Sequence, residues 1–395
     1  MLRSLYSGIS GLRAHQTMLD VTGNNIANVN TQGFKASSVE FQDTLSQMTS
    51  GGSSPQAGNG GTNPAQVGLG VQVAAISTNF TQGSSQATGK GTDLMISGSG
   101  FFVVKQGGET LYTRAGSLSQ DAQGNLVTPD GGILQGWTAV NGAVSSGGPV
   151  QNLTFSNTVL SPATATTKAT ASGNLPSGGA GSPLTRDVQV YDAQGNATNV
   201  TLTFNHTGGS VAAGTDTWDV TDPAGNSVTL NFTNGKQDAA NPASLNVNGA
   251  VPLDLTTITG FANLSTVAAK ADDGGPAGTL ESFSMSKDGT IVGTFSNGNK
   301  QAVGRIAMAN FTNPTGLEKA GDSTYRAGSN SGTATIGEAG NGGIGSLVSG
   351  SLEMSNVDLS QEFTNLIVAQ RGFQANARVI TTSDTVLQEL IDLKR

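Results

Sequence analysis

The chain has no cysteine in its 395 residues. That absence excludes disulfide frameworks, thiolate zinc sites and cysteine nucleophiles. Histidine is scarce as well, with only His15 and His206. Neither lies beside a nucleophile motif, and no histidine cluster has metal-ligand spacing, so zinc, non-haem iron and Ser-His-Asp chemistry find no candidate residues. Charged side chains make up 12% of the chain and the net charge is −8. Without a basic cluster there is no footprint for nucleic acid or an anionic membrane. No run approaches the roughly 18 apolar residues a membrane helix needs. The opening MLRSLYSGISGLRAH lacks the apolar core and cleavage site of a secretory signal, so export is expected to remove no ordinary signal peptide.

Two glycine-rich stretches imitate nucleotide loops and are set aside. Gly340-Asn-Gly342-Gly-Ile-Gly345 has dinucleotide spelling but opens no amphipathic helix. In Gly83-Ser-Ser-Gln-Ala-Thr-Gly89-Lys90 the phosphate-loop spacing is one residue too long, and Gly91 replaces the required hydroxyl residue. The Asp-x-x-Gly turns lack the acidic ladder of a calcium loop. No set of groups can be assigned roles in a reaction, so the chain reads as a non-enzyme without cofactor or metal.

What the chain does have is glycine, 56 residues of it, and aromatics at only 5%. That balance predicts a β-dominated body with many short connections. The best-patterned segments are nevertheless the two ends. Leu2, Leu5, Ile9, Leu12, Leu19 and Ile26 fall on a heptad seam whose other positions are Gln16 and Gly23. Leu359, Phe363, Leu366, Phe373, Ile380, Leu387 and Ile391 continue the same spacing near the other end. Val379, Val386, Leu390 and Leu393 add a second stripe, more surface than one partner helix would cover. Gly8, Gly11 and Gly23 weaken the first helix by roughly 1 kcal/mol each, so it must draw its order from packing. These stripes are the candidate polymerisation interface, in which the helices pair and then meet copies from other subunits.

Between the ends the period changes from helical to alternating. Val200, Leu202 and Phe204, then Val228, Leu230 and Phe232, alternate with polar residues. Asp121-Ala-Gln-Gly124-Asn125, Asp192-Ala-Gln-Gly195-Asn196 and Asp222-Pro-Ala-Gly225-Asn226 mark hairpin turns. The expected fold is mainly β with α-helical termini: the two terminal helices form a coiled-coil-like domain, and two β domains are nested. The expected divisions are 1–30, N-terminal helix; 31–70, linker, flexible over 46–66; and 71–145, first part of an inner β domain. They continue with 146–276, an inserted outer β domain; 277–348, second part of the inner domain; and 349–395, linker and C-terminal helix. A carbohydrate-binding role for the insert lacks an aromatic platform, since Trp218 and Tyr191 are its only Trp and Tyr.

Leu19-Asp20-Val21-Thr22-Gly23-Asn24-Asn25-Ile26-Ala27-Asn28-Val29-Asn30-Thr31-Gln32-Gly33-Phe34-Lys35 resembles the N-terminal signature of bacterial flagellar rod and hook proteins. Leu352-Glu353-Met354-Ser355-Asn356-Val357-Asp358-Leu359, followed by Ala369-Gln370-Arg371-Gly372-Phe373, resembles the other end of that family. The middle is similar to its hook members in particular. The resemblance marks Asn24, Asn25, Asn28, Thr31, Gly33 and Phe34 as family-motif positions. It implies a homopolymeric helical tube outside the cell, part of the flagellum, acting as a flexible universal joint that carries torque from rod to filament. It also implies the distal rod protein at the base, a hook cap during assembly, hook–filament junction proteins and the flagellar type III export apparatus as partners. A distal rod subunit is the alternative, disfavoured by the large insert.

Overall fold

Helix formation at the two ends has local causes. Asp358 adopts extended backbone, and its carboxylate accepts from Ser360 N at 2.8 Å and Gln361 N at 3.3 Å, capping a helix of 34 residues. Glu362 in the first turn favours the helix dipole. In the computed structural model this helix, α2, spans Leu359–Asp392, and its partner α1 spans Leu2–Ala27. The structure describes residues 2–55, 58, 60–140, 142–155, 159–239 and 244–393, with the backbone alone for Leu2 and Val211.

Directly after α1 the chain departs from the expected linker. Strand Ser37–Asp43 pairs antiparallel with Val71–Thr78, and Ser46–Ser50 with Ala65–Gly68. Residues 37–50 and 65–78 therefore run side by side as a two-stranded ribbon, and the 31–70 linker reading is corrected. Gly and Ser dominate local composition there, but the backbone groups of 46–50 and 65–68 satisfy one another across the ribbon. Residues 56, 57 and 59 of the predicted flexible stretch lie outside the described residues. The ribbon stands on α1, where Val71 N donates to Ser10 Oγ at 3.2 Å.

The inner domain is built around strand Phe101–Gln106, whose first four residues are buried. Phe102 and Val104 face one core with Leu111, Leu134, Leu153, Phe155 and Ile306. Phe101 and Val103 face the other, with Tyr112, Phe311 and Tyr325. A strand buried on both sides explains why Phe101-Phe-Val-Val104 reads as an unbroken apolar run. The domain's edges also differ from expectation. Gln151–Asn152 pairs with the strand Ile133–Val140, and Leu160–Ser161 pairs with Gly278–Met285. The insert therefore starts after Ser161 rather than at 146, because Leu153 and Phe155 fill the inner core. At the far side, Ser351–Glu353 pairs with Ser85–Ala87, so the expected linker at 349 onward is docked as a strand.

The outer domain is a sandwich. Leu184–Tyr191, Ala197–Ser210, Thr215–Thr221, Ser227–Thr233 and Lys236–Gln237 form one sheet in that order. Ser244–Val247, Val251–Thr259, Ala169–Asn174 and Ala268–Ala271 form the other. Val200, Leu202, Phe204, Trp218, Leu230 and Phe232 meet Leu245, Leu253, Leu255 and Ile258 in a core separate from those of the inner domain. The hairpin turns form as their composition predicts: Asp192 Oδ1 accepts from Gln194 N at 2.9 Å and Asn196 N at 2.8 Å, with Gly195 at φ +83°. His206 lies within the strand Ala197–Ser210, its Nε2 2.5 Å from the buried carboxylate of Asp216.

Candidate assembly interface and junction

The two helices approach closely at small residues of α1, which face Asn376 and the stripe residue Ile380 of α2. Gly8, Gly11, Ala14, Thr22 and Asn25 are the buried positions of α1. A methyl group on Gly8 would stand 3.3 Å from Ile380 Cγ1, and one on Gly11 would stand 2.6 Å from Asn376 Nδ2. On α2 the reciprocal opening is Gly372, where an added methyl would meet the His15 ring at 2.5 Å. Two of the glycines that weaken α1 alone are thus what let α2 approach. His15, expected on a polar face, is turned toward α2, and its Nδ1 is buried without a partner among the described residues.

Consequently the stripe residues are left partly open. Leu5, Leu12, Leu19 and Ile26 are half-buried, and Ile9 is exposed. On α2 Leu366, Ile380 and Leu387 are half-buried, whereas Leu359, Phe363, Phe373 and Ile391 are exposed, Phe363 at 52% and Ile391 at 66%. The side chain of Leu2 lies outside the described residues. Ile367, Val368, Val379, Val386, Leu390 and Leu393 extend the uncovered apolar surface.

Where α1 ends, the family-motif residues build a junction to the β body. Asn25, 1% exposed, donates to Ser37 O at 2.8 Å and accepts from Ser37 N at 3.0 Å. The same Nδ2 donates to Glu362 Oε1 of α2 at 3.1 Å, so one side chain ties α1, the ribbon and α2 together. Asn28 closes the helix end by donating to Asn24 O at 2.9 Å and accepting from Thr31 Oγ1 at 2.9 Å. Gly33 sits at φ +66°, and an added Cβ would be 2.6 Å from Ala115 N. Only glycine fits both that backbone and that gap. Lys319 Nζ lies over the Phe34 ring at 5.3 Å and donates to Ser37 Oγ at 2.9 Å; burial lowers its pKa below the ordinary lysine value.

Next to Phe34 is the most buried charge cluster among the described residues. Lys35 Nζ donates to Glu353 Oε1 at 2.6 Å and to Thr81 O at 2.8 Å. Arg114 reaches both Glu353 oxygens at 3.4 Å and donates to Gly98 O at 2.7 Å. Gly83 N donates to the same Glu353 Oε1 at 2.9 Å. Side chains of Lys35 and Glu353 are fully buried, and Arg114 nearly so. Burial pushes the Lys35 ammonium below its ordinary pKa, while the bond to Glu353 holds it up. An edge-to-face aromatic group lies alongside: Phe101 meets Phe80 at 5.4 Å and Phe311 at 5.8 Å, and the Arg114 guanidinium sits 5.5 Å above Phe101. Burial pushes the Tyr325 phenol in this group up to about 12.

Lys35 and Glu353 lie in the two signature runs, but sequence pattern alone marks neither of them, nor Arg114, as a site residue. A signal for it exists: in a chain with so few charges, Arg114 directly follows Leu111-Tyr-Thr113, three consecutive residues that are all buried. Among the described residues no group of three His, Asp or Glu could hold a metal, and no helix is long and apolar enough to cross a membrane.

Residues 5–35 match the family described as Flagella basal body rod protein, and residues 348–393 match Flagellar basal body rod FlgEFG protein C-terminal. Residues 95–208 match the Flagellar hook protein FlgE/F/G D1 domain. The Flagellar hook protein FlgE of Borreliella burgdorferi is 41% identical, with both chains covered completely. This chain belongs to the flagellar hook protein family. The two terminal segments that carry the hook and rod signatures are those that meet at the junction. The Flagellar basal-body rod protein FlgG of Bacillus subtilis is 35% identical, again over the whole of both chains. A solved Helicobacter pylori flagellar hook protein FlgE2 aligns with a TM-score of 0.43 at 16% identity, over 66% of this chain and 98% of that one.

Proposed function

We propose that this hook-family chain is a structural subunit that polymerises with copies of itself into the flagellar hook, an extracellular tube that bends while it carries torque. One observation carries the reading. The helices meet within the subunit where Gly8, Gly11 and Gly372 face Ile380, Asn376 and His15, and Phe363, Ile367, Val368 and Ile391 stay uncovered. Apolar stripes of that length on a soluble subunit call for partners, and head-to-tail contacts that do not close give helical polymers. The stripe residues from Leu5 to Ile391 are the proposed contacts between copies. The separate outer core supports a shell that can shift while the helices stay packed. The distal rod protein, the hook cap, the junction proteins and the type III export apparatus are the partners proposed with this role.

Phe363→Glu combined with Ile367→Glu is the direct test, because both side chains are exposed in the subunit. Expected are a folded monomer with unchanged β-sheet circular dichroism and no tubes by negative-stain microscopy. Tubes formed as readily as by the wild type would refute the reading.

A further inference from the structure

Glu353 holds together three parts of the chain that are remote in sequence: its carboxylate bonds Lys35 across 318 residues, Gly83 N across 270 and Arg114 across 239. We propose that Glu353 is a lock, whose arrival gives two buried cations a shared counter-charge and so makes completion of the α1–β junction conditional on the seating of segment 352–358. This rests on the reading of the helix pair as the polymerising element.

The argument begins with charge. Lys35 and Arg114 point into one buried site, and without a carboxylate they are two like charges removed from water. Glu353 supplies the only acidic partner that either has among the described ion pairs. Its seating is tied to the start of α2. Gly33 N donates to Glu353 O at 2.8 Å and Met354 N to Ser84 O at 2.9 Å. Ala36 N donates to Asn356 Oδ1 at 2.8 Å, and Asn356 Nδ2 donates to Asn79 O at 2.8 Å. Asp358, two residues on, caps α2. Pairing the cations and fixing where α2 begins are therefore one structural event. Lys35 and Arg114 are synthesised long before Glu353, so a chain lacking its later segment is held with the junction open. Its α1 glycine face then has no registered partner.

Hydrogen exchange on the full-length monomer tests the lock with Glu353→Gln and the double variant Lys35→Met/Glu353→Gln. In Glu353→Gln, amides of 24–37 and 352–358 are expected to exchange about a hundredfold faster or more, while Phe101–Gln106 keeps its protection. The double variant, with one buried cation fewer, is expected to recover a large part of that protection. Unchanged exchange in Glu353→Gln overturns the lock. So does a double variant as fast as the single one, since charge would then not be the cause. Polymerisation is read in parallel by microscopy: Glu353→Gln is expected to nucleate tubes at least tenfold more slowly. Wild-type-like nucleation overturns the coupling to assembly. Failure of the wild type itself to form tubes would count against the hook reading and leave the exchange result standing.

Discussion

At the scale of single residues, glycine does two unlike jobs here. Gly33 is required by its own backbone and by the wall of Ala115 and Arg114 around it, whereas Gly8 and Gly11 give the neighbouring helix room to approach. Gly33→Ala is therefore expected to destabilise the junction by about 2–3 kcal/mol, read as a lowered midpoint in urea unfolding. An unchanged midpoint would show that the turn relaxes freely. The turn aspartates give a pH prediction. The bond from the Asn196 side chain, with backbone donors, holds the exposed Asp192 carboxyl below its ordinary pKa. A depressed folded-state pKa contributes stability that is present above the unfolded value near 4 and lost as pH falls through the folded one. Asn196→Ala should thus lower outer-domain stability at pH 7, with the gap to wild type closing toward pH 2. The turn chemistry was readable in advance because Asp, Gly and Asn act on backbone a few residues away. The Lys35–Glu353–Arg114 cluster was not, because its partners are brought together only by the finished fold.

At the scale of elements, periodicity identified the two helices and the alternating strands around Val200–Phe204 and Val228–Phe232, but not what each face touches. The heptad stripes of α1 and α2 were legible, yet the close approach of the helices is at the small residues Gly8, Gly11 and Gly372, and only part of each stripe is covered. A pattern of large apolar residues shows where burial is wanted and is silent about which partner supplies it. The ribbon shows the opposite failure: weakly patterned, exposed strands give almost no periodic signal, and only backbone pairing defines them. A lone two-stranded ribbon is marginal in water, and Leu45 at its bend is 85% exposed. Deleting residues 46–66 is accordingly expected to leave the thermal midpoint of the inner domain within a degree or two while changing the curvature or stiffness of assembled tubes. A large loss of core stability would show instead that the ribbon props up the subunit.

At the scale of the whole molecule, the nested order of helix, ribbon, inner domain, sandwich, inner domain and helix divides the labour. The outer sandwich has its own core, so Trp218→Ala should lower its unfolding transition by about 3–5 kcal/mol and leave the inner domain's transition in place. A single merged transition moving with Trp218 would mean that the two β domains fold as one. The expected edge at 146 was not legible correctly, because Leu153 and Phe155 belong to the inner core and Leu160–Ser161 still pairs with Gly278–Met285. The terminal segments carry the assembly claim, and the most direct measurement is microscopy of purified chains lacking residues 1–28 or 359–395. The account predicts folded β bodies, with native near-ultraviolet circular dichroism from the Trp218 core, that form no tubes at any concentration tested. Tubes from either truncated chain would contradict it.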